Sequence, residues 1–101
     1  MKQIIDGMMY NTKTATIIGE YSNGLGESDF RYCWEDLYVT KKGNFFLDGE
    51  GGSMSKYSRP CGNMTGGGSR IIALTKEEAL EWCEAHLDAD EFEEYFELEE
   101  A

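Results

Sequence analysis

Apolar and polar residues alternate along two neighbouring stretches of this chain, residues 33–40 and 44–49. A period of two is typical of a half-buried β-strand. The connection between the stretches, Lys41-Lys42-Gly43, is short and polar and ends in glycine, which suits a tight turn. The pattern therefore predicts a β-hairpin, which is the strongest structural signal in the sequence.

The first strand of this hairpin has apolar residues on both faces. Successive side chains point to opposite faces of a strand. The alternation therefore groups Cys33, Glu35, Leu37 and Val39 on one face, and Trp34, Asp36 and Tyr38 on the other. We expect a helix to cover one of these faces and a loop or a partner to cover the other.

Other stretches predict further strands. QIIDGMMY (residues 3–10) and TATIIGEYS (residues 14–22) are rich in β-branched or aromatic residues, and NTK between them suits a hairpin turn. The second stretch is also compatible with a helix. RIIALT (residues 70–75) predicts the final strand. The strands together indicate an antiparallel sheet of four or five strands.

A glycine-rich stretch precedes that final strand. Residues 49–69 contain seven glycines and the only proline, without sustained periodicity. This composition predicts a long loop, and loops of such length are commonly functional or mobile.

A helix start signal follows the final strand. Thr75 and Glu78 have the spacing of a capping box, in which each side chain bonds to the other residue's backbone. Helical spacing then places four apolar residues along one side: Ala79, Leu80, Cys83 and Leu87. This side should pack on the sheet.

The same start signal recurs at Asp88 and Glu91 and predicts a second short helix. Phe92, Tyr95 and Phe96 would form its apolar stripe and pack against the domain. The chain is thus predicted to be a single α+β domain over residues 1–101. Residues 1–74 are mainly β, residues 75–101 form an acidic helical segment, and both helices lie on one face of the sheet.

Negative charge is concentrated in that helical segment. The formal net charge is −11. Residues 75–101 contain 12 acidic residues and one basic residue, giving −11, whereas residues 1–74 contain 8 of each, giving 0. Concentrated charge of one sign produces a directed field that attracts a basic partner.

The sequence also indicates the cellular compartment of the protein. No run approaches about 18 apolar residues, and the N-terminal stretch lacks a long apolar region. We therefore expect neither a membrane span nor a signal peptide, and a cytoplasmic location. Cys33, Cys61 and Cys83 are an odd number at spacings that fit neither a disulfide framework nor a CxxC metal motif, so free thiols are expected.

No residue pattern indicates catalysis. His86 is the only histidine, and with Cys83 it offers at most two ligands, whereas a structural zinc site takes four. The glycine clusters GEGG and GGG lack the Lys-Ser/Thr ending of a phosphate-binding loop. We predict that the protein is not an enzyme and uses no metal and no cofactor.

The charge balance disfavours direct binding to nucleic acid, which would be repelled. Mimicry of nucleic acid is geometrically possible, because carboxylates at helical spacing lie about 5 to 6 Å apart along a helix face, near the spacing of phosphates. The predicted partner is a basic nucleic-acid-binding protein. The residues predicted to bind it are Glu81, Glu84, Asp88, Asp90, Glu91, Glu94 and Glu97 on the helical segment, and Glu35, Asp36, Asp48 and Glu50 on the hairpin.

The layout of the chain resembles that of small acidic proteins carried by bacterial phages and mobile elements, some of which are anti-CRISPR inhibitors. The resemblance covers nearly the whole chain and is most distinctive in the LYVTKKGNFFLDGEGG hairpin and the LTKEEALEW helix. It implies an inhibitor, in the cytoplasm of a bacterial host, that occupies the basic guide or target-DNA channel of a CRISPR effector complex. The alternative is an acidic protein-protein interaction module, antitoxin-like or regulatory, without nucleic-acid mimicry.

Overall fold

The fold of the described residues is α+β, with antiparallel strands and one helix that follows the last strand. The computed structural model describes residues 2–26 and 28–87. The elements within them are β1 (Lys2–Ile5), β2 (Met8–Asn11), β3 (Thr16–Ser22), β4 (Cys33–Val39), β5 (Phe45–Gly51), β6 (Arg59–Cys61), β7 (Met64–Gly66), β8 (Gly68–Leu74) and α1 (Lys76–His86). The second predicted helix, with Phe92, Tyr95 and Phe96, lies outside the described residues.

A four-stranded antiparallel sheet in the order β3-β4-β5-β8 forms the centre of the protein. The predicted hairpin is confirmed as β4 and β5, which pair from Cys33 opposite Gly51 to Val39 opposite Phe45. Gly43 closes the turn at a φ of 87°, a left-handed conformation that glycine adopts without steric cost.

The N-terminal strands differ from the prediction. Residues 3–10 do not form one strand, because β1 and β2 fold back on each other around Asp6 and Gly7. These two residues have φ values of 51° and 77°, as a tight hairpin turn with two left-handed residues requires. The predicted hairpin between this stretch and β3 was wrong, since β3 pairs with β4 instead.

The glycine-rich stretch is also more ordered than a single loop. The strand β5 extends to Gly51 and β8 begins at Gly68, while β6 and β7 form a small hairpin with Cys61 opposite Met64. Residues 52–58 are the part of the predicted loop that connects β5 to this hairpin. Short strands of this kind lack an apolar alternation that the sequence could show.

Apolar residues are buried on both faces of the sheet. On one face Ile18, Leu37 and Leu47 pack against α1. On the other, Phe46 and Ile71 pack against Tyr10 of β2, with ring centroids of Tyr10 and Phe46 5.4 Å apart. A helix thus covers one face, as predicted, whereas part of the other face is covered by the β1-β2 hairpin and not by a loop or a partner.

The helix α1 begins as predicted. Thr75 Oγ1 accepts a hydrogen bond from Glu78 N at 3.1 Å, and Glu78 Oε1 accepts one from Thr75 N at 2.9 Å. Ala79 and Cys83 are buried, and Leu80 and Leu87 pack against the same cluster. No helix within residues 2–26 and 28–87 is long and apolar enough to cross a membrane.

Candidate acidic interaction surface

Three carboxylates form a row across the sheet on the face opposite α1. Glu20 on β3 lies directly opposite Asp36 on β4, and Asp36 lies directly opposite Asp48 on β5. Side chains directly opposite in an antiparallel pair share a face and lie about 5 Å apart. These three residues are called the carboxylate row below.

The adjacent positions extend this surface along the strands. Trp34 lies opposite Glu50, and its Nε1 donates a hydrogen bond to Glu50 Oε2 at 3.0 Å. A shallow depression between β3 and β4 is lined by Glu20, Ser22, Trp34 and Asp36. The carboxylate row together with Trp34 and Glu50 is called the acidic sheet face.

The row is electrostatically unfavourable in the isolated protein. Burial, followed by the charges of Glu20 and Asp48, raises the pKa of Asp36 to about 6. Burial also raises the pKa of Asp48, with a further rise from Glu50 and an opposing effect of the chain's amino group. The Oδ1 atom of Asp48 is buried without a hydrogen-bond partner. Like charges directly opposite each other destabilise a sheet.

No basic side chain within the described residues neutralises the row. The ion pairs found there join Arg31 to Asp29 and Lys56 to Glu35. Asp36 and Asp48 therefore lie close together, half-buried and without a basic side chain of the described residues paired to them. A cation placed over them by a partner would relieve the repulsion.

Glu35 does not belong to this surface, and its prediction as a partner contact is corrected. Its neighbour Asp36 faces the side of the sheet away from α1, whereas Glu35 faces α1 and is 4% exposed. Its Oε2 accepts a hydrogen bond from Tyr57 Oη at 2.6 Å and pairs with Lys56 Nζ at 2.6 Å, while its Oε1 accepts one from Trp82 Nε1 at 3.2 Å. Both carboxylate oxygens are thus occupied inside the protein.

These bonds join three separate parts of the chain: β4, residues 52–58 and α1. Burial opposes ionisation of Glu35, but the hydrogen bonds from Lys56, Tyr57 and Trp82 outweigh it and hold its pKa below the usual value. The ring of Tyr57 reaches Glu35 by crossing Gly49, where a Cβ atom would overlap Tyr57 Oη. Glu35 is therefore a structural anchor.

The remaining predicted site residues are divided in space. Glu81 and Glu84 are exposed on α1, on the side of the sheet opposite the carboxylate row. The structure therefore brings Asp36, Asp48 and Glu50 together but separates them from the helix glutamates. Five further predicted residues lie outside the described residues: Asp88, Asp90, Glu91, Glu94 and Glu97.

Sequence reasoning missed Glu20 as a member of the site. Its place beside Asp36 depends on the register between β3 and β4, which shifts at a bulge between Ile17 and Gly19. A bulge moves the following residues to the opposite faces of the sheet. Gly19 within TATIIGEYS is compatible with a bulge, but it does not specify the register of the residues that follow.

The thiols that the structure describes are unsuited to chemistry. Cys33 and Cys83 are free thiols, as predicted. Burial, followed by the charge of Glu84, raises the pKa of Cys83 to about 11, and burial with the charge of Glu35 raises that of Cys33. His86 packs against the rings of Tyr21 and Trp82. Among the described residues, no group of three or more possible ligands is placed to hold a metal ion.

Comparison of the chain with protein-family models, with curated proteins and with solved structures finds no match in any of the three. Function is therefore inferred from the residues of the acidic sheet face and from the charge distribution.

Proposed function

We propose that this protein is an inhibitor of the anti-CRISPR type, which binds a basic nucleic-acid-handling protein through the acidic sheet face. The observation that carries the proposal is the carboxylate row, which lacks a basic counter-charge within the described residues. A row of like charges costs folding stability. A partner that places Lys or Arg over the row removes this repulsion on binding, and the free energy released adds to the affinity of the complex.

The spacing of the row suits a surface that normally contacts phosphates. Neighbouring strands are about 4.8 Å apart, so the three carboxylates present acceptors at regular intervals across the sheet. Guanidinium groups that bind phosphates also bind carboxylates in a bidentate manner. Trp34, beside the row, offers an aromatic surface on which an Arg can stack.

The helical segment has a different role in this proposal. The acidic residues of 75–101 carry a net charge of −11, and those described on α1 lie on the opposite side of the sheet from the row. Charges away from the contact accelerate association more than they stabilise the complex. The segment therefore directs the protein toward a basic channel, and the sheet face makes the contact.

The alternative is an acidic interaction module without nucleic-acid mimicry, antitoxin-like or regulatory. The shallow depression beside Trp34 favours it, because such a surface can receive a single basic side chain of a partner without any likeness to a nucleic-acid strand. Competition separates the two functions. Nucleic acid displaces a mimic from its partner, whereas a module that binds elsewhere on the partner is not displaced.

Three charge-matched variants test which acidic surface binds. One removes the carboxylate row (E20Q, D36N, D48N), one removes three exposed carboxylates of α1 (E77Q, E81Q, E84Q), and one removes three from the C-terminal segment (E91Q, E94Q, E97Q). Each variant loses three negative charges, so net charge is held constant across the set. Circular dichroism checks that each one folds.

Affinity for CRISPR effector complexes, with and without target DNA, is then measured across ionic strengths. We expect the row variant to lose the most affinity through faster dissociation, and the other two to lose mainly association rate. Equal affinities for the row variant and the α1 variant would contradict the assignment of the sheet face. Binding that target DNA leaves unchanged would favour the alternative module.

A further inference from the structure

A groove with a basic rim lies between the β1-β2 hairpin and the turn that joins β4 to β5. One wall includes Met8, Met9 and Thr14, and the other includes Lys41, Lys42 and Asn44. The walls meet at one point, where Asn44 Nδ2 lies 3.9 Å from Met8 Sδ. Met8 and Met9 are 45% and 59% exposed, so the groove offers apolar surface as well as charge.

Positive charge collects around this groove. Lys41 and Lys42 line it, Lys2 lies opposite Asn11 of its wall, and the backbone N of Lys13 donates to Asn11 Oδ1 at 2.9 Å. These are four of the nine basic residues of a chain whose formal net charge is −11. None of the four pairs with a carboxylate of the described residues. An acidic segment placed here therefore gains electrostatic attraction.

We infer that the C-terminal segment, residues 88–101, docks in the groove of its own chain. The segment has eight carboxylates and no basic residue. Its carboxylates complement the lysines of the rim. Its rings Tyr95 and Phe96 complement the two methionines, whose flexible side chains adapt to the shape that they cover. The inference does not depend on the proposed function.

The groove is within reach of the segment. Leu87, which follows α1, packs over Gly19 of β3, and β3 is an edge strand of the central sheet. Thr14, on the wall of the groove, is five residues from Gly19, which corresponds to about 17 Å of extended chain. The two faces of the sheet add about 10 Å, so a direct path around the edge measures roughly 20 Å. About six extended residues cover this distance, which brings Tyr95 and Phe96 to the groove.

The surface of α1 is a poor alternative for the segment, although it is nearer to Leu87. Glu77, Glu81 and Glu84 are exposed on the helix and would repel further carboxylates. On the same side of the sheet, Lys56 already pairs with Glu35. The unpaired lysines of the groove therefore favour a path around the edge of β3.

The covalent connection to Leu87 favours the same chain over a second copy. A segment tethered by about six residues has an effective concentration on the order of millimolar near its own groove. The segment of another copy is present only at the bulk concentration of the protein. At micromolar concentrations the contact therefore forms within one chain.

Three full-length variants test the contact. The groove variant (K41Q, K42Q) removes two charges from the rim, and the segment variant (Y95A, F96A) removes two rings while keeping every carboxylate. The matched control (R59Q, K76Q) removes two positive charges from exposed positions that do not line the groove. Circular dichroism verifies the fold of each variant.

Native-state proteolysis measures how often the segment leaves the groove. A glutamate-specific protease has six cleavage positions within residues 88–101, and mass spectrometry follows the rate of cleavage there. We expect both variants to be cleaved about tenfold faster than the original chain, and the control to be cleaved at the original rate. Raising the salt from about 50 mM to about 500 mM should also accelerate cleavage, relative to a free peptide of the same segment.

Amide hydrogen exchange gives the reciprocal measurement on an unaltered groove. In the segment variant, the amides of residues 7–11 and 40–44 should exchange faster than in the original chain, because the rings no longer cover them. Unchanged exchange at both stretches would contradict docking in the groove, even if the segment itself is cleaved faster.

A groove variant that is cleaved at the original rate overturns the inference. A control that accelerates cleavage equally also overturns it, since the attraction would then not be localised at the groove. Cleavage that slows as the protein is concentrated from about 1 μM to about 100 μM indicates docking on a second copy and overturns it too. None of these outcomes bears on binding to a basic partner, which the row variant tests separately.

Discussion

Replacing Asp36 by Asn should stabilise the folded protein at neutral pH. Asp36 lies between Glu20 and Asp48 in the carboxylate row, half-buried and without a basic neighbour among the described residues. Asparagine has nearly the same shape, carries no charge and can donate hydrogen bonds to the flanking carboxylates. The substitution therefore removes repulsion without creating a cavity.

The magnitude follows from the raised pKa. The pKa of Asp36 is about 6 in the folded chain, against 3.8 for an ordinary aspartate, and this difference corresponds to at most about 3 kcal/mol. Solvent screens a half-buried carboxylate, so we expect D36N to gain about 1 to 2 kcal/mol at pH 8. For a domain of this size the gain raises the Tm by roughly 4 to 8 °C per kcal/mol.

The difference between the folded and unfolded pKa of Asp36 also decides whether stability rises or falls with pH. Between pH 3.8 and about 6 the folded state holds a proton on Asp36 that the unfolded state has lost. The contribution of Asp36 to stability is therefore greatest below its unfolded pKa and is lost as the pH rises through about 6. The advantage of D36N should grow over this window and stay constant above it.

Urea denaturation of the original chain and D36N at several pH values between 4 and 8 measures this effect. E81Q is the control, since it removes one charge from an exposed position on α1. If D36N is no more stable than the original chain at pH 8, or if its advantage does not change with pH, the repulsion within the row is not as described.

Other expected outcomes concern the anchor, the sheet and the thiols. E35Q should lower the free energy of unfolding by about 2 to 4 kcal/mol at pH 7. It removes a buried negative charge that forms an ion pair with Lys56 and accepts a hydrogen bond from Tyr57. The pKa of Glu35 is lowered in the folded state, so the stability that Glu35 contributes should decline as the solution is acidified below the ordinary carboxylate pKa. Denaturation of the original chain and E35Q at several pH values from 3 to 7 measures this decline. G49A should cost at least about 2 kcal/mol, because its Cβ would displace the Tyr57 ring. Chemical denaturation measures the loss, and G26A, which meets no neighbour and needs no left-handed backbone, controls for the added methyl group. Cys83 should react with a thiol reagent at pH 8 only after unfolding, because burial raises its pKa to about 11, and rapid reaction of the native protein would contradict its placement.

The sequence was most informative where a local pattern decides the structure. The β4-β5 hairpin and the start of α1 each follow from a few neighbouring residues, and both were predicted correctly. The Asp6-Gly7 turn was also visible as a dipeptide that favours tight hairpins, but the apolar residues on both sides suggested one continuous strand.

The candidate site was harder to predict, because it depends on pairing between distant strands. Asp36, Asp48 and Glu50 were predicted as partner-binding residues on one hairpin, whereas Glu20 joins them only through the β3-β4 register. Glu35 was misplaced because its burial depends on Tyr57 and Trp82, which are 22 and 47 residues away along the chain.

The adjacent pair Glu35 and Asp36 has a consequence for how β4 can pair during folding. A slip of one residue would turn Asp36 toward α1, where its shorter side chain would replace a glutamate held by Lys56, Tyr57 and Trp82. The same slip would turn Leu37 outward and leave its buried site under the helix vacant. Misregistered chains would thus lose an ionic contact and a core residue together. Two neighbouring carboxylates with opposite environments therefore make β4 intolerant of alternative alignments.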